Sequence, residues 1–176
     1  MITGWSGDPT DPNFVAHGWD GQGGVVKPAQ YNWLASELQA HGQQPTVVFM
    51  HHPPIDLGLQ WLDAVKLESV DEFVHAVAEA PQVAGIFAGH VHMEFSGALK
   101  ASPGRSVPVH TVPSTAYQNQ TTAQAAGQPC LKGPESLPGF RVIRGIDPVD
   151  QPNAGPGLTT EVVRVALPPD TLVANL

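Results

Sequence analysis

Two histidine clusters carry the chemistry of this chain: Met50-His51-His52-Pro53-Pro54 and Gly89-His90-Val91-His92. Neutral imidazole is a common ligand for zinc, manganese and iron, and two ligands spaced i, i+2 in an extended segment project to the same side. On that geometry His90 and His92 face one metal centre or two adjacent ones, and Gly89 lets the backbone come close. A lone His-x-His pair is weak evidence for metal, but two clusters in the same context are strong. Each cluster follows a short apolar run of β-forming residues, at 46–49 and 83–87. Such runs read as buried parallel strands, so the histidines emerge together at the carboxyl ends, where open α/β sheets build their sites.

The elements that must position them can be read around the clusters. Residues 27–41 set Tyr31, Leu34, Ala35 and Leu38 at helical spacing, with Pro28 in the first turn and Gly42 as a stop. The first strand then runs into Pro53 and Pro54, which forbid both helix and continued ladder pairing, so the chain turns there. Ser69-Val70-Asp71-Glu72 has the pattern of a capping box, opening a helix whose apolar stripe of Val70, Phe73, Val74 and Val77 runs until Pro81. Helix, strand, helix, strand is a right-handed crossover unit with its two strands parallel. Beyond His92, residues 95–100, 107–113, 140–143 and 160–166 read as an antiparallel set of strands. Residues 1–26, 117–138 and 145–157 are Gly/Pro-rich loops, and 168–176 form a tail. With 18 Gly and 18 Pro, composition stays below the range that signals disorder of the whole chain.

At 176 residues the chain suits one domain with a proper core. A formal net charge of −8, with 8 Lys and Arg that never form a run, argues against a grip on nucleic acid and for a small partner. The single cysteine, Cys130, has no partner for an internal disulfide and no metal-ligand spacing around it, so it reads as a loop thiol in a reducing compartment. The first residues carry neither a basic start nor an apolar signal region, and no stretch approaches membrane-spanning length. A soluble cytoplasmic protein is the expectation.

The clusters, Phe49-Met50-His51-His52-Pro53-Pro54 and Ala88-Gly89-His90-Val91-His92, resemble the last two metal motifs of the calcineurin-like metallophosphoesterases. The resemblance is strongest to their class III cyclic-nucleotide phosphodiesterase and glycerophosphodiesterase branch. Gln30-Tyr31-Asn32-Trp33-Leu34 is similar to that branch's Gln-x-x-Trp-Leu helix, and Val112-Pro113-Ser114-Thr115 and Pro138-Gly139-Phe140-Arg141 are similar to its later signatures. Together the likeness runs over residues 25–167. It implies the C-terminal part of a metallophosphoesterase-type α/β sandwich, with mixed sheets flanked by helices. It implies further that His51 and His90 bind the second of two divalent ions (Mn, Fe or Zn) and that His92 binds the first. The paired ions of the family activate water and hold the phosphate for in-line attack on a phosphodiester, with a 3′,5′-cyclic nucleotide such as cyclic AMP, or a glycerophosphodiester, as the leading substrates. His52 matches a residue next to a ligand, and His110 lies where the family places residues near the site. Both are expected to touch substrate or to support a ligand.

The family's three upstream motifs, Asp-x-His, Gly-Asp-x-x-Asp and Gly-Asn-His-Asp/Glu, are absent before Gln30, and Asp8, Asp11 and His17 do not stand in such contexts. No catalytic residue is therefore assignable in this chain alone. Three imidazoles without a bridging carboxylate are expected to hold one ion at most, and residues 1–176 to be one incomplete phosphoesterase domain, inactive or weakly active by itself. The alternative is a non-catalytic metal-binding or interaction fragment that needs a partner chain, either a missing N-terminal half or a second copy in a homodimer. The remaining candidates take plainer readings. His41 favours a helix C-terminus, His75 is solvated on a helix, and His17 is exposed in a loop. Asp56, Asp63 and Glu94 are solvated or capping groups, Trp33 and Trp61 are packing residues, and Trp5 and Trp19 sit in the loop-rich start.

Overall fold

A computed structural model describes residues 24–115, 118, 137–145 and 157–166. Asp8, Asp11, His17, Asp20, Trp5, Trp19, Cys130, nearly all of the loop-rich start, most of the two later loops and the tail lie outside the described residues.

Helix α1 (Pro28–Ala40) begins where expected and buries Tyr31, Leu34 and Leu38, while Ala35 faces outward. Its start is held by Gln30, whose Oε1 accepts from the Lys27 amide at 3.1 Å. Strand β1 (Thr46–Met50) follows, then a short α2 (Gln60–Asp63) that the residue pattern did not announce, then α3 (Val70–Ala78) and β2 (Val83–Ala88). Helix α3 buries Phe73, Ala76 and Val77 on one stripe. The capping box expected at Ser69 does not form, since its side chain makes no cap hydrogen bond. Its carbonyl instead accepts from the Tyr31 hydroxyl at 2.5 Å, which ties α3 to α1. At the other end of α3, Arg105 donates to the carbonyls of Val77, in the last turn of the helix, and of Ala80 and Val83, tying the helix end to the turn and strand that follow.

The later strands are β3 (Phe95–Ser102), β4 (Arg105–Thr111), β5 (Gly139–Gly145) and β6 (Leu158–Arg164). Antiparallel pairing holds for β3 with β4 and for β5 with β6. The mixed pairing expected of the fold is present, although residues 95–166 are not antiparallel throughout. Strand β4 lies parallel against β2, giving one mixed sheet of order β1-β2-β4-β3, and only the β5-β6 hairpin forms a second sheet. The physical reason lies in the alternation of β4, where Val107, Val109 and Thr111 bury one face as completely as the core strands do.

One face of the mixed sheet is the core: Val48, Met50, Ile86, Ala88, Val107 and Val109 pack with Leu34, Leu38, Phe73 and Val77. The register Val48↔Ile86↔Val109 keeps these residues on one side. Phe49, Phe87 and His110 are then in register on the opposite face, where their rings stack at 5.6 and 5.3 Å between centroids. Among the described residues, strand β1 stands at an edge of the sheet. Beside it Phe49 is 57% exposed and Trp33, on α1, is 53% exposed, both lining an open groove. Trp33 and Trp61 are therefore not the packing residues they were expected to be, because they fall on the outward sides of α1 and of the short α2.

Candidate metal centre

Both histidine clusters stand at the carboxyl ends of the two parallel strands, and the β1/β2 register brings them side by side. Met50 pairs with Ala88, so the next residues of each strand, His51 and Gly89, are neighbours. The Gly89 amide donates to the carbonyl of His51 at 3.0 Å.

Three imidazoles close into a group. The donor atoms of His51, His52 and His90 all lie within 4.8 Å of one another. His90 Nδ1 is 3.3 Å from His51 Nε2, and the His52 and His90 rings stand 4.4 Å apart between centroids. His51 is exposed, His90 is half-buried, and His52 is buried against the chain that leads into α1. His92 is outside that compact set, though it lies close enough to His51 for their charges to interact. His110 stands apart from the group, on β4, with Nδ1 2.9 Å from the Ser96 hydroxyl.

The expected extended geometry of the second cluster is not what the backbone adopts. His90 has φ of 67° and His92 a φ of 48°, both in the left-handed region. These histidines therefore do not project as alternate residues of a strand. For a residue with a Cβ this conformation costs about 1–2 kcal/mol and persists only where surrounding structure holds it. Val91 between them is fully buried with Leu57, Leu62 and Met93, so an apolar anchor pins the middle of the loop. The Pro53-Pro54 corner is fixed more simply, by two buried prolines whose φ angles are already set.

Gly24 is a site residue that the pattern of residue types did not reveal. A Cβ at this position would lie 2.1 Å from His52 Nδ1. The glycine is bridged to the chain before α3: its amide donates to the Lys66 carbonyl and its carbonyl accepts from the Glu68 amide, each at 2.9 Å. It forms the floor on which the buried imidazole rests. The one available signal was its place within a Gly-Gly pair, which composition alone assigns to a loop.

The electrostatics suit metal binding. Partial desolvation by the neighbouring rings lowers the His51 pKa below its ordinary value, although His51 keeps an exposed edge, and His90 is lowered to about 4, first by burial and then by the neighbouring His51 and His92. His92 is lowered by burial and by His51, and His110 by burial and by the Arg141 guanidinium. Four imidazoles near the strand ends are thus neutral at neutral pH, the protonation state a metal requires. Donor type, convergence and neutrality together fit a divalent transition metal.

The flanking carboxylates are more engaged than expected. Asp63 caps no helix but accepts from the amides of Leu57 and Gly58 at 2.6 and 3.1 Å, closing the turn that leads into α2, and Asp56 is ion-paired with Lys66. Glu94 is not simply solvated: it is paired with Arg141 at 3.9 Å and Arg164 at 3.4 Å. His41 caps the end of α1 and lies 3.7 Å from Glu37.

No family model matches the chain. Among curated proteins it is 32% identical over 123 residues to a 3′,5′-cyclic-nucleotide phosphodiesterase of Nostoc sp., covering 69% of this chain and 42% of that protein. It is 35% identical over 86 residues to the glycerophosphodiester phosphodiesterase GpdQ of Enterobacter lignolyticus, covering 49% of this chain and 29% of the relative. It is 33% identical over 95 residues to the 3′,5′-cyclic adenosine monophosphate phosphodiesterase CpdA of Vibrio vulnificus, covering 54% and 33% respectively. The chain spans less than half the length of these relatives. No helix among the described residues is long and apolar enough to cross a membrane.

Proposed function

Since the chain belongs to the calcineurin-like metallophosphoesterase family, we propose that residues 1–176 supply the C-terminal part of a metal-dependent phosphodiester hydrolase. The leading substrate is a 3′,5′-cyclic nucleotide and a glycerophosphodiester is next, on the strength of what the relatives are named for. The single observation that carries this reading is the convergence of His51, His52 and His90 within 4.8 Å at the carboxyl ends of β1 and β2.

His51, His90 and His92 are the ligands in this reading, holding Mn, Fe or Zn. His52 and His110 contact the substrate or support a ligand. A phosphodiester is an anion, and neutral imidazoles on a chain of net charge −8 give it no positive field. His51, His90 and His92 would hold a divalent ion there, which would supply that field, polarise a phosphoryl oxygen and lower the pKa of water. The chain's own part is to hold the imidazoles neutral and converged, with His52 fixed against Gly24.

The test is metal-dependent hydrolysis of bis-p-nitrophenyl phosphate and of 3′,5′-cyclic AMP, by residues 1–176 alone and after addition of a polypeptide carrying the three upstream motifs. Slow hydrolysis alone, a rise on complementation, and its loss in His90→Ala and His92→Ala are expected. A complemented preparation with no metal-dependent hydrolysis would overturn the enzyme reading and leave a metal-binding or interaction module. Geometry favours one variation in the ligand set, because His52 belongs to the compact group and His92 does not. Loss of the ion in His52→Ala with retention in His92→Ala would assign the set to His51, His52 and His90.

A further inference from the structure

The left-handed loop that carries His90 and His92 is fastened from outside the two histidine clusters, by a network reaching to the β5-β6 hairpin. The Arg141 side chain, on β5, is 4% exposed. Its Nε and Nη2 donate to the Thr111 carbonyl at 3.3 and 3.2 Å, and Nη1 donates to the Thr160 hydroxyl at 2.8 Å. Thr111, fully buried at the end of β4, donates its own hydroxyl to the Met93 carbonyl at 2.7 Å. The next residue, Glu94, is gripped by Arg141 and by Arg164 of β6. One guanidinium thus reaches the exit of the histidine loop by two routes, through Thr111 to Met93 and directly to Glu94.

A buried charge of this kind is costly unless paired and hydrogen-bonded; Arg141 directs Nε and Nη2 toward Thr111 and Glu94 at the exit of this loop, while Nη1 ties it to Thr160 on β6. Two adjacent positive φ values separated by one apolar anchor need such support, because neither histidine favours the conformation by itself. We propose that Arg141, acting through Glu94 and Thr111, is a positioning residue for the His90-Val91-His92 loop: it sets the aim of the two imidazoles without touching metal or substrate. This inference rests on the reading of His90 and His92 as metal-site residues.

The test uses the whole chain with Arg141→Met, Arg141→Lys and Glu94→Gln. Glu94 is 47% exposed, so its replacement opens no core and serves if Arg141→Met fails to fold. Two readouts are taken: Co²⁺ affinity, and the backbone NMR signals of residues 90–93 without metal, including the intraresidue Hα–HN contact that marks positive φ. We expect Glu94→Gln and Arg141→Met to weaken Co²⁺ binding about 10-fold, the lower end for partners that orient ligands. The signals of residues 90–93 should move while those of α1 and α3 stay. Arg141→Lys keeps a charge for Glu94 but lacks the planar fork, and should fall between. Wild-type affinity and unchanged loop signals in folded Glu94→Gln and Arg141→Met would overturn the proposal, even if thermal stability fell. Should wild type bind no Co²⁺, the metal reading fails separately, and the loop signals alone decide the role of Arg141.

Discussion

At the end of β1 the chain turns with Pro53 and Pro54 directly behind His52, whereas at the end of β2 His90 and His92 both stand at positive φ with only Val91 between them. The first corner is written into covalent geometry, since a proline ring fixes φ wherever it stands. The second is held by tertiary contacts: Val91 in its apolar pocket, Thr111 on Met93, and two arginines on Glu94. Equivalent positions on neighbouring parallel strands thus reach one site by local restriction in one case and by imposed strain in the other. The consequence is directional. Distant substitutions should disturb His90 and His92 while leaving the first corner in place, and the first corner should be vulnerable to what lies directly beneath it.

Gly24→Ala addresses that vulnerability and should have the largest effect. A methyl group 2.1 Å from a buried imidazole nitrogen must push His52 aside or shift a backbone that is bridged on both sides. Overpacking of this kind costs about 1–3 kcal/mol, and the upper end is expected here. Urea denaturation gives the stability, and a shift of the His52 ring signals shows the displacement. An unchanged midpoint would mean that the floor beneath His52 is soft.

Val91→Ala tests the anchor of the second loop. Losing two methyl groups from a fully buried site costs about 0.8 kcal/mol each before the cavity is counted, about 2 kcal/mol in all. The signals of His90 and His92 should move more than that of His52. Equal movement at both corners would erase the distinction between them.

How much of this could be read from residue types differs between the same two regions. The apolar runs that became β1 and β2, the helical stripes of α1 and α3, and the turn forced by two prolines all have local causes, and all three were legible. Positive φ at His90 and His92 was not, because nothing in a Gly-His-Val-His string asks for it; the cost is met by residues tens of positions away. Glu94 looked like a solvated carboxylate for the same reason, its arginine partners lying on strands β5 and β6. The place of β4 beside β2 depended on competition among buried faces, which no single segment records. Trp33 and Trp61 misled because a large apolar side chain is ordinarily read as core, and both are about half exposed.

A smaller effect is expected from pH on the metal-free chain. His51, His90, His92 and His110 all have folded-state pKa values below the ordinary histidine value of about 6.5. Between there and about 4, the value for His90, the unfolded chain binds more protons than the folded one. Stability should therefore fall as pH drops through this window, and the histidine contribution should level off below it. His90→Ala and His51→Ala should flatten the slope of the urea midpoint against pH. A slope unaffected by the site variants would place the titrating groups elsewhere.

The most direct measurement of the central claim, that the two strand-end corners share a metal site, is a Co²⁺ titration of residues 1–176 followed by absorption spectroscopy. It should be run on wild type, His51→Ala and His90→Ala, with His41→Ala and His75→Ala as controls on helices α1 and α3. One ion per chain is expected in wild type and in both controls, with binding lost or weakened by at least about 10-fold when either corner is cut. Retention of wild-type affinity and spectrum in His51→Ala or in His90→Ala would contradict a shared site, since no site spanning both corners survives the loss of either imidazole unmarked.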